Sequence, residues 1–137
     1  MAAIQLASGT ASALADEITA LVDAGAGAGT IKVYTGTLDV ALDPTGDTLL
    51  ATFTLVDPSA AAAIAGVATW DADPDISATI AASGTPGWFI CADSDSNPVF
   101  GGDVNTSGAT MNASSTAWVS GGTANLTAGT FTVPDAA

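Results

Sequence analysis

The chain reads as mainly β: a single β-sandwich or jelly-roll-like domain with one N-terminal helix. Three observations carry that reading. Short β-branched or alternating segments recur from residue 30 onward, turn residues separate them roughly every 8 to 12 positions, and only one stretch, near the start, has helical spacing. The length of 137 residues suits one domain. A globular chain of this size removes roughly two-thirds of its unfolded surface from water, enough to hold a core without a metal or a disulfide.

The helix comes first. Leu14, Ile18, Leu21 and Val22 recur at helical spacing, Ser8, Thr10 and Ser12 offer N-cap oxygens, Asp16 and Glu17 sit near the early turns, and Gly25 follows as the stop. The spacing predicts a helix over 10–24, after an N-terminal arm over 1–9. Its apolar stripe is narrow and edged by alanines, so the helix should lie on a sheet or on a neighbouring subunit. The Ala-Gly run ending at Gly29 predicts a flexible hinge over 25–29, and 30–137 forms the β-domain.

Residues 30–35 (TIKVYT) are β-branched and alternating, and 48–56 (TLLATFTLV) put Leu49, Ala51, Phe53 and Leu55 on one face with Thr52 and Thr54 on the other. Between them, TGTLDVALDPTGD carries Gly, Pro and Asp at turn spacing and reads as a surface loop. Further strands are expected over 66–71 and 76–82. Segments 88–92 and 99–104 flank DSDSNP and predict a hairpin, 116–120 and 123–127 predict a second across Gly121-Gly122, and 130–133 adds the last strand. The alanine block 59–65 is ambiguous, because alanine favours helix while Pro58 and Gly66 limit it to a turn or two.

Charge narrows the function. Fourteen acidic side chains stand against one basic one, Lys32, and there is no histidine, giving a net charge of −13. Nucleic acid is not an expected partner, because its binding depends on cations that neutralise phosphates. The same lack argues against anionic membrane surfaces. Without histidine no Ser-His-Asp or Cys-His pair can form, so the chain is read as no enzyme and no cofactor is expected. The start of the chain lacks a positive charge and a continuous apolar stretch, so no secretory leader is expected. The uncharged runs 58–70 and 76–92 are too short, or too rich in Gly, Pro, Ser and Thr, to span a bilayer.

Several residues could carry chemistry. Asp93, Asp95 and Asn97 match the first ligands of an EF-hand loop, but Pro98 replaces the turn glycine and Val104 the bidentate glutamate, so a plain hairpin loop is favoured. Asp71, Asp73 and Asp75 form a second acidic cluster, better suited to a solvated rim than to a metal. Trp88 lies in the apolar run GWFICA and reads as core. Trp70 and Trp118 sit at strand ends beside polar residues, where an indole reaches a subunit interface or, less favoured, stacks on a sugar. Cys91, the only cysteine, reads as a buried, unreactive thiol. The sequons at Asn105, Asn112 and Asn125 arise easily in a chain rich in Thr and Ser.

The order of LADEITALVDAG, GTIKVYTGTL, TLLATFTLVDP, GVAT, GWFICADSDSNPVFGGDV, TSGATMN and TANLTAGTFTVP, over about residues 8–134, resembles small virion structural proteins of tailed bacteriophages and prophages. The resemblance implies a capsid decoration or cement protein on the exterior of the virion, assembled in the host cytoplasm. Its partner would be the shell of major capsid protein, bound as a homo-oligomer, with a trimer on local three-fold axes one form. Contacts to the particle or between subunits are expected from Ile4, Leu6, Leu14, Ile18, Trp70 and Trp118. A tail or tail-fibre component, and a secreted module binding carbohydrate or calcium, are the alternatives.

Overall fold

A computed structural model describes residues 4–72 and 75–132. One helix, α1 (Ser8–Val22), precedes nine strands: β1 (Thr30–Tyr34), β2 (Leu49–Thr54), β3 (Val67–Thr69), β4 (Ile76–Thr79), β5 (Trp88–Ala92), β6 (Pro98–Asn105), β7 (Met111–Asn112), β8 (Thr123–Leu126) and β9 (Thr130–Thr132). The fold is mainly β with one N-terminal helix, as the alternation and turn spacing predict.

Five strands form the main sheet in the order β2-β1-β5-β6-β7, and two ribbons, β3-β9 and β4-β8, complete the structure. All pairs are antiparallel except β6-β7. Ile31 lies opposite Phe53 and Cys91, and Val33 opposite Ala51 and Phe89, so one face of the sheet is continuously apolar. That face packs against Trp70, Ala78, Leu126 and Phe131 from the ribbons and the segments beside them. Two layers around one core follow from the period of two along each strand.

The second face of the sheet is also covered. Tyr34, Trp88, Ile90 and Ala92 cluster there with Leu42, which comes from the loop between β1 and β2. Trp88 is fully buried, and its indole N–H donates to Thr35 O at 3.0 Å and to Asp47 Oδ2 at 2.9 Å. The surface loop that turn residues predict over this stretch is therefore a lid on the outer face, and it satisfies the one polar atom of the largest buried ring.

The hairpin of β5 and β6 forms as predicted. The hairpin expected across Gly121-Gly122 does not. β8 pairs with β4, and the ladder continues as Ile80 N donates to Gly122 O at 2.8 Å and Gly84 bridges Trp118. Pairing with β4 sets Ile76 against Leu126 and Ala78 against Ala124, and these residues all face the core. A local turn to 116–120 offers no such burial.

α1 runs from Ser8 to Val22, not over 10–24, and its N-cap is Ala7, without a side-chain cap. The hydroxyls expected to cap it are spent elsewhere or left in solvent. Its buried residues are Ala11, Ala15, Thr19 and Val22, whereas Leu14 and Leu21 are 45% and 47% exposed. Small side chains face inward because α1 lies close against β3 and β6.

The alanine block forms no helix. It folds back on β3 through a tight two-residue turn at Ala65-Gly66, where both φ angles are positive, closed by Ile64 N to Val67 O at 3.0 Å and the reciprocal bond at 2.9 Å. The block then runs along α1 as a strap. Ser12 Oγ accepts from Gly66 N at 3.0 Å, Asp16 Oδ1 from Ala63 N at 2.7 Å and Asp23 Oδ1 from Ser59 N at 2.9 Å.

The stretch over 25–29, expected as a hinge, leaves Gly25 and Ala26 exposed but is tied down around them, at Ser94 and at Gly29. Ser94 Oγ donates to Ala24 O at 3.1 Å and accepts from Gly27 N at 3.4 Å. A side chain at Gly29 would stand 2.6 Å from Val22 O and 2.7 Å from Ala92 O, so only glycine lets the helix end approach β5.

Candidate interaction surface

The helix presents three flanks with different jobs. Ala11, Ala15 and Val22 enter the core, Ser12, Asp16 and Asp23 grip the strap, and Leu14, Ile18 and Leu21 lie on the flank away from it. Leu14 and Leu21 are exposed and Ile18 is half-buried. Ile4, before the helix, is 91% exposed, and Leu6 is half-buried. Residues 1–3 of the arm lie outside the described residues. The four apolar contact residues predicted near the start of the chain thus fall on one short segment, and both leucines of the helix flank face solvent.

The two tryptophans named with them are elsewhere. Trp70 is 9% exposed and stacks on Phe100 with ring centroids 6.2 Å apart, so its ring belongs to the core and borders an apolar cleft of about 490 Å³ beside Phe89 and Phe131. Trp118 is half-buried, and its indole N–H donates to Ser115 O at 2.9 Å. It lines a separate cleft of about 590 Å³. Neither indole joins the helix flank in one patch.

The carboxylates that resemble metal ligands serve turns. Asp93 Oδ1 accepts from the backbone N of Asp95 at 2.9 Å and of Asn97 at 2.8 Å, while Oδ2 accepts from Asn97 Nδ2 at 2.9 Å. Ser96, at φ 67°, completes the reversal. Hydrogen bonds from Asn97, aided by that from Asp95, hold the Asp93 carboxyl below its ordinary value of 3.8. Both oxygens being engaged, the loop is the plain hairpin turn favoured for it. Asp71 and Asp75 are exposed, and Asp73 lies outside the described residues. Among the described residues no group of three or more acidic, histidine or cysteine side chains could hold a metal ion.

Two further carboxylates repeat the device: Asp43 accepts from Thr45 N and Oγ1 at 3.0 and 2.6 Å, and Asp103 from Thr110 N and Oγ1, both at 2.9 Å. These bonds lower both carboxyls. Cys91 is buried, and burial pushes its thiol up to about 12, so it stays protonated at neutral pH.

Sequence reasoning missed the strap and the Asp47 contact to Trp88. The strap is gripped through its backbone N–H groups, which carry no side-chain signature. Among the described residues no helix is long and apolar enough to cross a membrane. Comparison of the chain with known protein families, curated proteins and solved structures finds no match.

Proposed function

We propose that the protein is a structural component of a tailed-phage particle, a decoration or cement protein that binds the outside of the capsid shell and does no catalysis. The observation that carries this reading is the apolar segment of Ile4, Leu14, Ile18 and Leu21 on a chain whose remaining charge is almost all negative. Like-charged copies repel in solution and stay dispersed, so the apolar flank finds its partner on a shell surface of neutral or positive character. The resemblance of the strand-and-turn order to small virion proteins supports the same role. Bound copies, alone or as trimers on local three-fold axes, bridge neighbouring shell subunits. They stabilise the assembled state by mass action, because they bind the shell and not its dissociated subunits.

The test is co-sedimentation with undecorated heads. Deleting residues 1–6, or replacing both Leu14 and Leu21 by Gln, leaves a folded β-domain by circular dichroism. Each change weakens attachment by about tenfold or more, since burying one large aliphatic side chain contributes roughly 1.5–3 kcal/mol. Undiminished attachment by both variants would sink the assignment of this flank, and no attachment by the intact chain would sink the decoration role itself.

A further inference from the structure

The cleft at Trp118 lies on the β4-β8 side of the molecule and is lined by Trp118, Asn112, Ser114, Thr123, Asn125 and Thr127 among others. Among the described residues no ionisable side chain borders it. Its polar groups are held in place by bonds that leave donors over. Asn112 Oδ1 accepts from Ala109 N at 3.1 Å, and Asn125 Oδ1 accepts from Ser77 Oγ at 2.8 Å, so each carboxamide is fixed by its oxygen. Each NH2 group is left with two protons to donate and no acceptor among the described residues. The indole is fixed as well, by its bond to Ser115 O. The cleft therefore combines an oriented aromatic ring with two oriented amide donors and the hydroxyl residues Ser114, Ser115, Thr123 and Thr127.

We infer that this cleft binds a neutral oligosaccharide. A pyranose ring offers an apolar C–H face for the indole and a rim of hydroxyl oxygens for the amide donors, and it carries no charge that the site would need to neutralise. An anionic ligand meets no cation here and is repelled by the chain's net charge of −13, while a cationic ligand finds no carboxylate in the lining. A volume of about 590 Å³ falls in the usual range for small-molecule sites and exceeds what one sugar ring fills. The site is separate from the helix flank and does not depend on the decoration role.

The experiment titrates the intact protein with maltohexaose, cellohexaose, mannohexaose and chitohexaose while following the three indole N–H resonances by NMR. At least one saccharide shifts the Trp118 resonance saturably and leaves that of buried Trp88 in place. Asn112→Asp and Asn125→Asp keep the accepted bond and the shape but remove the amide donors, and each weakens binding by about tenfold. Trp118→Ala abolishes it; if that variant does not fold, the two Asp variants carry the test. Four saccharides without saturable effect up to about 10 mM overturn the inference. Unchanged affinity in both Asp variants also overturns it, as does tighter binding of polygalacturonate or of adenosine than of any neutral saccharide.

Discussion

At the residue scale, the acidic side chains of this protein work as turn builders. Asp43, Asp93 and Asp103 each accept two or three hydrogen bonds from residues two to seven positions on, and each is held below its ordinary carboxylate value by them. The sign of the linkage follows. A lowered folded-state value means that the unfolded chain binds protons first, so the stabilisation is complete above the ordinary value of 3.8 and is lost as pH falls through the lower folded values. With no histidine, and with Cys91 raised to about 12, the side chains give stability little reason to vary through the neutral range. Melting temperature should therefore be nearly flat from about pH 8 to pH 5 and then fall steeply. Asp93→Ala should melt lower than the parent at neutral pH and lose less on acidification; equal acid losses in parent and variant would refute the role of that carboxylate. DSDSNP was legible as a turn because Asp, Asn and Pro each favour reversals locally. The bond from Trp88 to Asp47 was not, because 41 residues separate its ends.

At the element scale, α1 shows where periodicity informs and where it misleads. The position of the helix was readable to within two residues at each end, and its stop before Gly25 follows the glycine. Which flank enters the core was not readable. Hydrophobicity ranks Leu14, Ile18 and Leu21 above alanine, but a helix seated close to a sheet and a strap needs small side chains at the contact. The distinction is measurable. Ala15→Leu overfills a fully buried position and should cost about 1–3 kcal/mol in urea unfolding, whereas Leu14→Ala should stay within about 0.5 kcal/mol. The reverse order would mean that the helix is seated on its other flank. The alanine block was ambiguous for a related reason: its conformation is fixed by Ser12, Asp16 and Asp23, some 36 to 54 residues earlier, and not by its own propensity.

At the scale of the whole molecule, the mainly β class and the central strands were legible because their two-residue period and turn residues are local. The pairings of β8 and β9 were not, since they are chosen by the common core and not by neighbourhood in sequence. Charge is the other global property. A net charge of −13 on 137 residues makes the folded state repel itself, and added salt screens that repulsion within about 10 Å at 0.1 M. Raising sodium chloride from about 0.01 to 0.15 M should therefore raise the melting temperature, and a fall would show that attractive ion pairs dominate.

The strand order also governs how the chain comes to be folded as it leaves a ribosome. β1 sits between β2 and β5, α1 waits for β3 and β6, and the ribbons that close the core wait for β8 and β9. β1 with β2 and β5 with β6 are near neighbours in sequence, but β3 and β4 wait for β9 and β8, so the nascent chain carries the core face of its main sheet incompletely covered until synthesis is nearly over. Through that interval the carboxylates, spread from Asp16 to Asp103, are what keep one growing chain from another.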